Sequence, residues 1–220
     1  MRKEPQKKPL LVSFYEDYLK QRMPNVFAAG VRQYYSPATL ERMATTGDCL
    51  CRRAAILALG LLGDYESNPI MGSALLDADR GVRRMAEKSI RLVWRRMGSA
   101  RQRSELETII QFNQQEHHQQ AIAAACELIE QAPWFAEVWN QRAIASSHLK
   151  FYTDSIRACC RTLEINPYQF ESAVRMGRCH LELKDLHSAL ECFQRALQLN
   201  SDLAGIRAKV IYLQKSLHNE

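Results

Sequence analysis

The sequence predicts an all-α fold, a right-handed superhelical solenoid of stacked helical hairpins. Three observations carry this. Pro133 and Pro167 stand 34 residues apart, and the residues around them repeat at the same offset, the length of a two-helix repeat. Upstream, D-x-x-x-R-R-x-A occurs at Asp48–Ala55 and again at Asp79–Ala86, an offset of 31. At the carboxyl end, Leu203, Ile206, Val210, Leu213 and Leu217 recur at helical spacing with Arg207, Lys209 and Lys215 outside them, as a helix that caps an array requires. A stack of hairpins has no closed cavity of its own, so the fold points to a binding scaffold rather than an enzyme.

Three segments follow from the pattern. Residues 1–9 form a charged tail, expected to be disordered and without the apolar stretch of a secretory signal. Residues 10–100 form the first repeat region and 101–220 the second. The first opens with a helical segment from Val12 to Met23. The Asp48 motif leads into a helix through Ile56, Leu57, Leu59 and Leu62 that stops at Gly63-Asp64. Asn68-Pro69 opens a short helix toward Leu75 and Leu76, because proline fits a first turn and not an interior. The Asp79 motif leads through Ile90, Val93, Trp94 and Met97 to Gly98.

The strings R-R-A-A-I-L-A-L-G-L-L-G-D and L-L-D-A-D-R-G-V-R-R-M-A resemble HEAT-like repeats over about residues 36–98. That length holds one complete unit with partial neighbours, and at least three are normally needed for stability. The expectation is that these helices borrow stability from their neighbours on both sides, in one continuous solenoid with Gly98–Arg103 as a bend.

In the second region the columns align. Ala143 and Gly177 fill the small column where antiparallel helices touch. Ser155 and Ala189 fill the small column of the following helix, Cys159 and Phe193 the filler column, and Thr162 and Ala196 the column where the next unit packs. One unit earlier, Ala121, Ala125, Leu128 and Pro133 occupy these columns. W-N-Q-R-A, Y-T-D-S-I and L-E-I-N-P resemble the tetratricopeptide repeat family, over about residues 103–220. The resemblance implies three units and a capping helix, the first unit being the weakest match. Two departures stand out. Arg142 occupies an apolar column, where its stem can cover apolar surface while the guanidinium reaches outward, and Ser201 replaces the closing proline of the third unit.

Composition narrows the function classes. The chain has 220 residues, 46% of them hydrophobic, and its prolines sit at expected helix boundaries and in the first residues, as in a soluble globular chain. The longest apolar stretch, Ala54–Leu62, is too short to span a bilayer, and a cytoplasmic location is expected. Seven cysteines at helical positions, without a C-x-x-C pair matched by a second, read as small buried hydrophobes in a reducing compartment. His117-His118 and His187 fall in hairpin turns, where exposed polar residues are expected. No phosphate loop, H-E-x-x-H or G-x-S-x-G motif occurs. The sequence therefore predicts no catalytic residue, no metal site and no cofactor, and no heptad seam foretells self-association.

Two surfaces remain. The tetratricopeptide resemblance implies a concave groove lined by the first helix of each unit, holding a protein or peptide partner. By column it presents Asn140, Gln141, Ile144, Ser147 and His148 from the second unit, and Glu171, Arg175, Arg178 and Glu182 from the third. Arg175 and Arg178 are the expected anchors, since a guanidinium fork fixes carboxylates or carbonyls. The cochaperone subtype that grips a terminal carboxylate would place its clamp at Leu106, Ile110, Gln141, Glu171 and Arg175; only Arg175 keeps the required type, so that subtype is excluded. The alternative surface is basic. Residues 1–103 hold 19 Lys/Arg against 10 Asp/Glu, whereas 104–220 hold 11 against 14. Arg84, Lys88, Arg91 and Arg95 share one helix face, which is either an ordinary solvated face or a surface for nucleic acid or another polyanion.

Overall fold

A computed structural model describes residues 9–218. Apart from Pro9, the expected amino-terminal tail lies outside the described residues. Among those described there are thirteen α-helices, one 3-10 turn and no strand. The chain divides into two compact units between Val93 and Trp94.

The first unit contains α1 (Leu10–Gln21), α2 (Pro24–Tyr34), α3 (Pro37–Thr46), α4 (Cys49–Leu62), a 3-10 turn at Tyr65–Ser67, α5 (Asn68–Ala74) and most of α6 (Arg80–Trp94). The helix expected from Val12 is α1, extended backwards to Leu10. The second helix, α2, was not anticipated. Pro24 stands in its first turn, and Phe27 and Val31 are its buried residues.

The repeated D-x-x-x-R-R-x-A motif is a capping and pairing device. The Asp48 carboxylate accepts the Cys51 amide at 2.8 Å at the start of α4, and Asp79 accepts the Val82 amide at 2.8 Å at the start of α6, each satisfying a donor the helix leaves unpaired. The two arginines of the first motif reach the loop before the second. Arg52 forks onto Asp77 with two bonds of 2.8 Å, and Arg53 onto Asp79 at 2.8 and 2.7 Å. The Arg53 fork, together with backbone amides, holds the Asp79 carboxyl down at about 2. Close packing does the rest: a Cβ at Gly60 of α4 would lie 2.3 Å from that of Ser89 in α6.

The second unit holds α7 (Ala100–Gln114), α8 (His118–Gln131), α9 (Ala136–His148), α10 (Tyr152–Ile165), α11 (Phe170–Glu182), α12 (Leu186–Leu199) and α13 (Ala204–His218). They nest as three hairpins, α7 on α8, α9 on α10 and α11 on α12, each second helix also packing on the next first helix. The first helices form their own row, α7 against α9 and α9 against α11, and α13 packs on α12. Ser99 starts α7 with a reciprocal capping box to Gln102.

The 34-residue period is written into the backbone as well. Glu116, Lys150 and Lys184 all have φ near +60° (62, 62 and 61°), one in each hairpin turn. The residue after each donates its amide to a carbonyl five positions back, His117 to Phe112, Phe151 to Ser146 and Asp185 to His180, the left-handed helix stop. In the tightest column, a Cβ on Gly177 would lie 2.5 Å from the Phe193 ring. Ser155 uses its hydroxyl to bond the Ala143 carbonyl at 2.8 Å across the second hairpin.

The unusual closing residue of the third unit is accommodated. Asn166 and Asn200, 34 positions apart and both buried, accept the amides of Tyr168 and Asp202 with their side-chain oxygens. Asparagine therefore holds the same turn whether Pro167 or Ser201 follows. Arg142 lies with its guanidinium carbon 5.8 Å from the Trp139 ring centre, and Trp139 Nε1 donates to the Pro133 carbonyl at 2.9 Å.

Candidate interaction surface on the row of first helices

Helices α7, α9 and α11 stand side by side, and the polar residues between them form a buried network. Its centre is Glu137, only 5% exposed. Its carboxylate accepts from Gln141 Nε2 at 2.7 Å, Asn140 Nδ2 at 3.2 and 3.3 Å and Gln169 Nε2 at 2.9 Å. The network extends both ways. Asn113 Nδ2 on α7 donates to the Gln141 carbonyl and Oε1, both at 3.0 Å. Ser172 Oγ on α11 bonds Asn140 Oδ1 at 3.2 Å, and Asn166 Nδ2 donates to Gln169 Oε1 at 3.0 Å. Burial raises the Glu137 carboxyl above its ordinary range, with the neighbouring Glu171 charge acting the same way and the amide donors opposing.

This network changes the standing of two residues proposed for the groove. Asn140 and Gln141 are 1% and 5% exposed with their amides bonded internally, so they position helices and offer no side chain to a partner. Ile144 and Ser147 are half-buried, and His148 and Arg178 are exposed. Arg175 is half-buried, with its Nε buried and without a hydrogen-bond partner. Desolvation pulls its guanidinium below the usual arginine range. The two clamp columns at Leu106 and Ile110 belong to the core of the first hairpin.

Sequence reasoning missed Glu137, Gln169 and Asn113, because a polar residue in a packing column is visible only when its partners are. It also treated His118 as an ordinary turn residue. The structure stacks the His118 ring on that of His148, centroids 4.5 Å apart and planes 13° off parallel. No signal in the sequence pairs the start of α8 with the end of α9.

Burial drives Cys159 up to about 12 and Cys192 up to about 11, and Cys179 faces the Ser155 hydroxyl at 3.5 Å. On the first unit's basic face, Arg84 and Lys88 are exposed while Val82, Ala86, Ile90 and Val93 are buried opposite. Arg91 is paired with Glu87 at 3.0 Å, and Arg95 lies one residue beyond the end of α6. Arg84 stands 31 residues after Arg53 but makes no ion pair with a carboxylate among the described residues, since no equivalent of Asp79 follows. No described helix is long and apolar enough to cross a membrane.

Comparison with known proteins places this geometry. Residues 170–203, which span α11 and α12, match the tetratricopeptide repeat model. The chain is 33% identical over 76 residues to WD and tetratricopeptide repeats protein 1 of Mus musculus, covering 33% of this chain and 11% of that protein. It is 31% identical over 98 residues to the Protein SGT1 homolog of Bos taurus, covering 44% and 29% respectively. The chain thus spans less than a third of the length of these curated relatives. Among solved structures, the first TPR of Spaghetti (RPAP3) bound to HSP90 peptide SRMEEVD superposes with a TM-score of 0.52 at 18% identity, covering 56% of this chain and 97% of that one. Residues 170–203 therefore resemble a tetratricopeptide repeat, set in an all-helical fold similar to that of a solved tetratricopeptide array.

Proposed function

We propose that this protein is a non-catalytic adaptor that holds a peptide segment of a protein partner along the row of α7, α9 and α11. The observation that carries this reading is the division of labour on that row. Asn140, Gln141 and Glu137 are consumed in an internal network that fixes the helices, while Ile144, Ser147, His148, Arg175 and Arg178 keep surface on two successive units. An array held rigid by buried hydrogen bonds presents such side chains at little ordering cost. A peptide-bound tetratricopeptide domain of similar fold supports the reading. The absent clamp columns mean that the partner is not gripped by its terminal carboxylate in the cochaperone manner. Affinity capture with the wild type and a His148→Ala, Arg175→Ala, Arg178→Ala triple variant tests it. The expected result is loss of specific partners from the variant, and identical partner sets would overturn the assignment.

The first unit supports a second reading, as a HEAT-like region with a polyanion-binding face. The Asp-capped helices and the arginine forks onto the next loop favour the HEAT-like assignment, and Arg84 favours the binding face because the array ends before supplying its aspartate. Binding to duplex DNA that weakens steeply with salt, and is lost when Arg84, Lys88, Arg91 and Arg95 are changed to Glu, is the expected result. No binding at low salt would dispose of it.

A further inference from the structure

His148 belongs to the proposed peptide surface, and the stacked histidines join the internal network through one residue. Asn113 gives both bonds of its Nδ2 to Gln141, which leaves its Oδ1 facing His118 Nδ1 at 3.4 Å. Neutral His118 then carries its hydrogen on Nδ1, and its ring is oriented by the same network that fixes α7 against α9. His148, at the end of α9, is stacked on it at 4.5 Å. Two neutral rings stack without penalty, whereas two imidazolium rings at that separation repel.

The groups acting on His148 come from each neighbouring element. Burial and the His118 ring hold it below the ordinary histidine range, Arg175 on α11 acts in the same sense, and Glu116 in the α7–α8 turn opposes them. Arg175 itself has a buried Nε without a partner. Arg175 thus stands against a ring held below its ordinary range, with Glu116 opposing at the ring and Glu171 at the guanidinium. An anion placed beside Arg175 would offset its charge and favour a proton on His148, and by linkage it would bind together with that proton.

We propose that the stacked His118–His148 pair is a proton-operated element of the groove, through which a carboxylate-bearing peptide seated beside Arg175 binds more tightly as pH falls. This rests on the adaptor reading above and adds the chemistry of the occupant and its control. The occupant presents acidic side chains within its chain. At neutral pH Arg175 and Arg178 attract the peptide. On acidification His148 takes a proton that the bound carboxylate stabilises.

The test uses the full chain and an N-acetylated, C-terminally amidated hexa-aspartate peptide, with hexa-asparagine as the neutral control. Binding is measured calorimetrically at pH 5.5 and 7.5 at constant ionic strength, where aspartate remains ionised throughout. The expected result is a Kd about tenfold lower at pH 5.5, from one linked protonation, and a ratio near one in the His118→Gln, His148→Gln double variant. Arg175→Gln should weaken binding at both pH values. His117, His180, His187 and His218 are retained in the double variant, so an unchanged pH ratio there would overturn the proposal, as would a pH-independent Kd or no binding at either pH. His148→Gln alone, an exposed position, serves if the double variant does not fold. If hexa-aspartate binding depends on Arg175 but not on pH, the histidine element fails and the adaptor reading stands. If partner capture is also unaffected by the groove variants, both fail.

Discussion

Gln169 Nε2 donates to the Glu137 carboxylate across 2.9 Å, and this one bond ties the loop that opens the third hairpin to the first helix of the second. Around it, three side-chain amides converge on a single buried acid with no cation bonded to it. A carboxylate surrounded only by neutral donors is tolerated when bonded and costly when stripped of its partners.

Glu137→Ala should destabilise the second unit by about 3 kcal/mol, because the amides of Asn140, Gln141 and Gln169 lose their common acceptor inside the protein. Urea denaturation monitored by circular dichroism measures it. A change below about 0.5 kcal/mol would show that water replaces the carboxylate without cost.

The pH dependence of that site has a definite sign. Burial raises the folded carboxyl above its ordinary value of 4.5, so the native state binds the proton more tightly than the unfolded chain. The associated stability is fully present below pH 4.5 and is lost as pH rises through the folded pKa. Glu137→Gln should flatten the stability profile over that window. Parallel profiles for wild type and variant from pH 4 to 8 would contradict it.

Asp79 behaves in the opposite way. The Arg53 fork holds its folded carboxyl at about 2, so its contribution is present above the unfolded value and lost as pH falls toward 2. Asp79→Asn should therefore lower the stability of the first unit at pH 7 and reduce its sensitivity to acid. Thermal melts at pH 7 and pH 3 check it: the loss on acidification should be smaller in the variant.

Gly177→Ala should cost about 2 kcal/mol, since the added methyl falls 2.5 Å from the Phe193 ring and the close-packed hairpin must open. Pairing it with Phe193→Leu should recover part of the loss. A Gly177→Ala protein with unchanged Tm would show that the α11–α12 contact is looser than its geometry.

Lys184→Gly should stabilise by about 0.5–1 kcal/mol, because φ at this position is 61° and glycine adopts the left-handed region without a Cβ penalty. Lys150→Gly, with φ at 62°, should behave alike. Denaturation midpoints of the two single variants measure it, and a loss of stability in both would mean that lysine contacts outweigh backbone relief.

The repeat architecture was legible in the chain for a physical reason. A hairpin can approach its neighbour only where a column is small, so Ala143, Gly177, Ala189 and Ala196 announce helix contacts by their size alone. The motif at Asp48 and Asp79 was legible as a repeat, but its meaning was not. That Arg53 reaches Asp79, 26 positions on, follows from the turn of the chain between them. The helix α2, which buries Phe27 and Val31, was not read from the sequence.

The proposed site divides along the same line. Column position by itself selected His148, Arg175 and Arg178 as residues of the first-helix row, and all three retain surface to different degrees. It also selected Asn140 and Gln141, which the adjacent first helices cover, because burial at a column depends on what stands beside it and a single repeat does not contain its neighbour.

What the sequence determined by itself is local and periodic: most of the helices, the 34-residue register, and the hairpin contacts made by small residues. What only the tertiary structure decided is which distant side chains share one place. Glu137 with Gln169 and Asn113 with Gln141 are joined across units, and so is His118 with His148. The energy of such pairs depends on a distance of a few ångströms and on exclusion of water, and neither quantity is carried by any residue alone.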